Sequence, residues 1–410
     1  MVLKRLQTTF RDINKFGSGK NGINRLAYTA EERGAIDYLK EKCIKEGMQI
    51  KIDSCGNLIA RREGKNPKLP AIACGSHIDT VYEGGKYDGT VGVIAGLEVI
   101  RSLNDKNINT LHPIEFIVFA CKKSSRFGLS SIGSKAMAGV LDIDSIQNLV
   151  DKDGITIGQA FERSGLDFSS IHRCKRTRDE IGAFVELHIE QGSYLEDNNF
   201  PIGVVTGIAA STRLKIDIEG VTSHSGATNM RNRRDALLGA AEIALMLEKF
   251  AKKESHKGTV GTVGMLNIKP GTVNAIPGYA EMQVDIRGIY RCSKDVVLDN
   301  LIEVIPEIEK KRGLKIDYEM ISNDEPVLMN SRIQDIIRAN CEMLGIKHTL
   351  MQSGAGHDAM SMAKICPTGM IFLPSKGGLS HNPNEYTSMA NIVQGTMLLR
   401  KVILDLAKIA

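Results

Sequence analysis

Three histidines and two aspartates at the ends of apolar runs are the residues of this sequence best suited to chemistry. His77, Asp79 and Asp88 lie in HIDTVYEGGKYDG, His188 in ELHIEQG and His381 in GGLSHNPNE. Neutral imidazole together with carboxylate is the ligand set of zinc or a similar divalent ion. In an extended segment His77 and Asp79 share a face, so Asp79 is placed to orient the imidazole. Asp88 follows a glycine-rich turn and opens a helix. Taken singly, each histidine reads as a hydrogen-bonded core or surface residue, but three at strand ends reverse that balance. A second group, His224 in GVTSHSGATNMRNRRDAL, Asn274 in GTVNAIPG and Arg287 in DIRG, offers an imidazole, an amide and a guanidinium. Such donors suit a carboxylate and a neighbouring carbonyl. Arg233 and Arg234, at a helix start, read as solvated charges. Against these groups stand Lys122 and Lys123, two ammonium groups placed directly after the buried run PIEFIVFA.

The elements that must position these residues follow from the hydrophobic pattern. LPAIACGSHID, PIEFIVFACKK, GAFVELHIEQG and GMIFLPSK are apolar strands alternating with helices, the pattern of an α/β layer. In such a layer ligands are held at the carboxyl ends of the strands, where the polar clusters converge. Thr29 with Glu32 makes a capping box for a helix running to about Gly47. From Ser211 the strands TRLKIDIEGV and AEMQVDIRGI alternate apolar and polar residues and bracket long helices near 234–252 and 293–311. This predicts a smaller α+β domain with a one-sided sheet at residues 211–325, inserted into a metal-binding domain of residues 1–210 and 326–410.

With 410 residues, two domains are expected, since single cores seldom exceed roughly 250 to 300 residues. No apolar stretch has the length of a membrane span and the N-terminus lacks a signal-peptide core, which predicts a cytoplasmic protein without a membrane partner. A net charge of +5 is dispersed, favouring small anionic ligands and giving no case for nucleic acid. The eight cysteines form no CxxC pair and read as reduced core residues.

The series GSHIDTVYEGGKYDGTVGV, AFVELHIEQG, EGVTSHSGATNMRNRRDA, PGTVNAIPG, DIRG, SGAGHDAM and LSHNPNE resembles the motifs of the hydantoinase/carbamoylase amidohydrolases of the M20 metallopeptidase superfamily. The resemblance covers nearly the whole chain and implies an M20-type α/β metal-binding domain with a mixed sheet flanked by helices, plus an α+β lid and dimerisation domain. It implies one metal held by His77, Asp88 and His188, with Asp88 bridging to a second held also by His381. It also implies that Gln191, His224, Asn274 and Arg287 grip the substrate, with Asn274 and Arg287 facing its carboxylate, and that His224 reaches it from the partner subunit of a homodimer. Glu385 belongs to the same motif as His381.

The departure lies at residues 122 and 123. Where the family pattern has two glutamates, a general base and a second-metal ligand, this chain has lysines. An ammonium about 4 Å from a divalent ion costs roughly 8 kcal/mol at an effective dielectric near 20. The expected cofactor is therefore one divalent ion, zinc or manganese, per chain, with a second in doubt. Three readings stay open: a degenerate homologue that binds a small amino-acid-like carboxylate; an enzyme in which Lys122, made neutral by burial beside a cation, serves as base with a single metal for hydrolysis or another reaction, Asp79 being the second catalytic candidate; or a carbamylated Lys123 that replaces the missing ligand. The class implied by the resemblance is hydrolysis of linear amide or ureido carbon-nitrogen bonds in a small carboxylate, such as an N-carbamoyl amino acid.

Overall fold

A computed structural model describes residues 1–408. The chain divides into two compact units, one holding Met1–Thr206, Met329–Met351 and the chain from His357 onward, the other Gly207–Leu328 and Gln352–Gly356.

In the first unit the near-continuous apolar runs become strands buried along almost their whole length, as expected for parallel strands covered on both faces. Thr368–Leu373, Ile181–Ile189, Ala71–His77 and Ile114–Phe119 lie side by side in that order and run parallel. Leu58–Arg62 and Ile202–Ile208 join this set antiparallel, which makes the sheet mixed. Helices Thr90–Asp105 and Met389–Ala407 flank the sheet through a shared core that includes Val91, Ile94, Phe116, Val185, Ile371 and Leu399. Phe116 is fully buried in it, so truncation to alanine should cost about 3 to 5 kcal/mol. A separate cluster around Tyr28, Phe127, Ile132 and Phe161 packs the segment that follows Lys123.

The helix after Thr29 spans Ala30–Lys45, and the Thr29 hydroxyl accepts from the Glu32 amide. The reciprocal half of the capping box differs from expectation: the Glu32 carboxylate reaches past Thr29 to the Tyr28 amide.

The second unit is a four-stranded antiparallel sheet in the order Val260–Lys269, Tyr279–Gly288, Ala210–Glu219, Lys315–Asn323. Leu214, Ile216, Ile218, Met282, Val284 and Ile286 form its apolar face. That face packs against helices Ala236–Glu254 and Arg291–Arg312, as the period-2 alternation requires. Among the described residues no helix is long and apolar enough to cross a membrane, and the cysteines are unpaired and, Cys292 excepted, buried.

Candidate active site

The four parallel strands end together, and their ends carry the predicted site. His77 closes its strand, in register with Phe119, which leads into Lys122 and Lys123. His188 sits opposite Phe372, which leads toward His381. Backbone strain concentrates here, since Cys121, Gln191 and His381 all adopt the left-handed region although none is glycine. Gly89 is left-handed for a visible reason: a Cβ there would lie 2.5 Å from the His77 ring, so only glycine lets the chain pass between Asp88 and that imidazole.

Three lone pairs converge on one point. His77 turns Nδ1 to the Asp79 carbonyl at 3.0 Å, and His188 turns Nδ1 to the Ile189 carbonyl at 2.9 Å. Both rings therefore carry the proton on Nδ1 and present Nε2 as an acceptor. Those atoms lie 3.6 Å and 3.1 Å from Asp88 Oδ1, and both His77 Nε2 and Asp88 Oδ1 are buried without a hydrogen bond. A divalent cation is what such a set of acceptors fits. Burial pushes His188 down to about 4, which leaves it neutral, and its Nε2 accepts from the Gly89 amide at 3.2 Å. Burial works in the same direction on His77, but the neighbouring carboxylates of Asp79 and Asp88 outweigh it and raise that group.

The other oxygen of Asp88 meets the lysines. Lys123 Nζ donates to Asp88 Oδ2 and lies 2.8 Å from His381 Nε2, while His381 Nε2 is 3.1 Å from the same Oδ2. An ammonium thus occupies the place between the two groups to which the family resemblance assigns a second metal. Neither lysine turns to solvent: both are nearly fully buried. Burial, with Lys122 adding to it against the attraction of Asp88, brings Lys123 down to about 8. Asp88 stays ionised well below the usual range, because Lys123 and the surrounding histidines outweigh its desolvation.

Burial works to lower Lys122, but Asp88, Asp358 and Glu186 outweigh it and hold the group above its ordinary value. These carboxylates favour the charged form of Lys122. Asp79 accepts from the Lys123 amide at 2.7 Å through Oδ2 while Oδ1 faces His77 Nδ1 at 3.3 Å. It therefore ties the lysine segment to the imidazole.

Glu385 joins the remaining segments. Its Oε1 accepts from the Tyr87 and Asp88 amides at 2.8 Å, and its Oε2 accepts from the Ser380 hydroxyl at 3.0 Å and the His381 amide at 3.3 Å. Gln191 Nε2 donates to Ser380 Oγ at 2.9 Å, beside His381.

Sequence reasoning passed over three contributors. Glu186, pushed by burial and by Asp358 to about 7, accepts from Ser76 Oγ and the Ala359 amide. The His357 ring packs edge-on against His188 at 4.5 Å. A charged residue within the apolar strand GAFVELHI and the GHDA motif were the available signals. Arg25 is the third. Fully buried, it donates to the carbonyls of Ile78, Ile13 and Phe16 and to Thr90 Oγ1. It thereby ties the N-terminal segment to the chain just after His77 and just beyond Asp88, and nothing in its polar sequence context marks it.

His224, Asn274 and Arg287 lie in the second unit. Ser223–His224 pairs with Ala275–Ile276, which sets His224 beside the Asn274 loop. His224 Nδ1 accepts from the Gly226 and Ala227 amides at 3.0 and 3.2 Å, so its exposed Nε2 carries the proton. Arg287 is held by Asp285 at 2.9 Å and by the Gly354 carbonyl at 3.2 Å. Arg233, read from sequence as solvated, instead clamps its own loop through the Ser225 and Thr228 carbonyls.

The model of peptidase family M20/M25/M40 matches residues 73–405. An uncharacterized hydrolase of Haemophilus influenzae is 44% identical over 99% of both chains. An N-carbamoyl-L-amino acid amidohydrolase of Geobacillus stearothermophilus is 38% identical over 97% of this chain and 96% of its own. The crystal structure of a hydantoinase/carbamoylase family amidase from Burkholderia multivorans superimposes with a TM-score of 0.92 at 33% identity, covering 99% of this chain and 98% of that one. The chain belongs to the M20 family, in its hydantoinase/carbamoylase amidohydrolase branch.

Proposed function

We propose that this protein binds a small carboxylate bearing a ureido or N-carbamoyl group and acts on its linear carbon-nitrogen bond with one divalent ion, zinc or manganese. His77, Asp88 Oδ1 and His188 would hold the ion, and Lys123 is a fixed internal cation where relatives would place a second. The observation that carries this reading is the seat of Lys123 Nζ between Asp88 and His381. Bound there, the ion supplies Lewis-acid polarisation of a carbonyl and acidification of a water. Lys122, charged and buried, donates to oxygen that becomes negative in an acyl-transfer transition state, which replaces a base by an electrostatic stabiliser. Asp79 keeps the His77 tautomer fixed. Gln191, Asn274 and Arg287 hold the substrate carboxylate end, with His224 supplied by the partner lid domain of a homodimer.

A second reading, binding without turnover, draws on the loss of a carboxylate base at position 122. Metal content per chain and product release from an N-carbamoyl-L-amino acid separate the two. One ion with product supports the enzyme, and one ion with ligand-induced thermal stabilisation and no product supports the binding protein. Two ions in the unmodified chain would remove the role given to Lys123.

A further inference from the structure

Five cationic side chains from two distant parts of the sequence line one cavity of about 660 Å³ in the second unit. Arg231, Arg233 and Arg234 approach it along the segment that leads into helix Ala236–Glu254. Lys311 and Arg312 come from the last turn of helix Arg291–Arg312. The Arg234 side chain lies across the left-handed Gly313 that ends this second helix, at 3.8 Å from where a Cβ would be.

The counter-charges are few and already engaged. Glu242 binds both Lys311 at 2.6 Å and Arg312 at 2.5 Å. Asp235, the lone carboxylate among the lining residues, caps the Leu238 amide. Arg233 is spent on main-chain carbonyls. Among the described residues, the guanidiniums of Arg231 and Arg234 have neither an ion pair nor a hydrogen-bond acceptor. Unopposed guanidinium forks are matched to the oxygens of phosphate, which they engage bidentately where an ammonium offers a point charge. Aromatic residues are absent from the lining, so the cavity lacks the stacking platform that a single-stranded nucleic acid uses.

We propose that this cavity is a binding site for a small anion carrying two or more phosphate groups, with Arg231 and Arg234 as its principal contacts. The site does not depend on the reading of the metal centre, because every residue in it belongs to the second unit.

Titration of the full-length, metal-loaded protein with inorganic pyrophosphate in a calorimeter tests this. One equivalent per chain is expected, weakened at least tenfold in the Arg231→Ser/Arg234→Ser variant. Both residues are exposed, and an unchanged thermal midpoint confirms that the variant is folded. Because pyrophosphate chelates metals, a His188→Ala variant runs in parallel and should bind it within twofold of the unmodified protein. Equal binding by the double arginine variant, or loss of binding in His188→Ala alone, overturns the proposal. So does displacement by an equal ionic strength of chloride, which would mark an adventitious ion only. Tighter binding of a polynucleotide than of pyrophosphate would reassign the surface to nucleic acid and equally overturn it.

Discussion

Replacing Lys123 separates the charge of its ammonium from the space it fills. An ion at Asp88 Oδ1 faces an ammonium hydrogen-bonded to the other oxygen of the same carboxylate, a separation of about 4 Å. The Coulomb penalty is then roughly 8 kcal/mol for a divalent ion at an effective dielectric near 20. Solvent at the half-exposed His381 and the ionised Asp88 between the charges reduce this. If a third survives, about 2.7 kcal/mol, affinity for the first ion changes about 100-fold. Lys123→Met should therefore bind one ion about 100-fold more tightly and still hold no second. Lys123→Glu should hold two, because a carboxylate then joins Asp88 Oδ2 and His381 Nε2. Equilibrium dialysis against zinc and against manganese, with metal measured per chain, reads both results. The reasoning fails if Lys123→Met binds metal no more tightly than the unmodified protein, or if Lys123→Glu stays at one equivalent. Adding Lys122→Glu to the latter should then produce or raise hydrolysis of an N-carbamoyl-L-amino acid.

Three further outcomes are expected. Lys123 falls from 10.5 to about 8 on folding, so between those values the folded chain binds fewer protons than the unfolded one. Stability should rise with pH across that window and level off above it; thermal midpoints of the metal-free protein that rise no more than those of Lys123→Met would contradict this. Arg25→Met strips donors from the Ile78 carbonyl beside His77, from the Ile13 carbonyl and from Thr90. It should cost about 3 kcal/mol or more in denaturant unfolding and weaken metal binding about 10- to 100-fold, whereas Arg25→Lys should recover part of both. Arg287→Lys should raise KM at least tenfold, or weaken ligand binding equally, with an unchanged melting curve. Unaltered affinity for an N-carbamoyl amino acid would take Arg287 out of the proposed grip.

The parts of the fold that were legible in sequence are those where burial alone dictates residue type. Ala71–His77 and Ile114–Phe119 are apolar without interruption because both faces are covered, and Ala210–Glu219 alternates because one is. Their ends could therefore be located, and with them His77, His188 and the lysine pair. What stayed hidden depends on long-range partners. Arg25 sits 53 residues from the Ile78 carbonyl it holds, and Glu186 finds Ser76 across 110. No local pattern encodes such pairings. The upward shift of Lys122 is hidden for the same reason. Burial could be read from the strand, but the carboxylates of Asp358 and Glu186 that oppose it come from elsewhere in the chain. Of the two arginines read as solvated, Arg234 is exposed, while the main-chain carbonyls that engage Arg233 belong to a loop geometry that the sequence does not display.

The seat of Lys123 between Asp88 and His381 makes one positive charge of this centre heritable. It is laid down at translation, needs no uptake system or loading step, and survives chelators and long dialysis. Metal starvation would thus leave this charge in place. A change of Lys123 to glutamate would exchange that built-in charge for a ligand whose partner cation depends on supply.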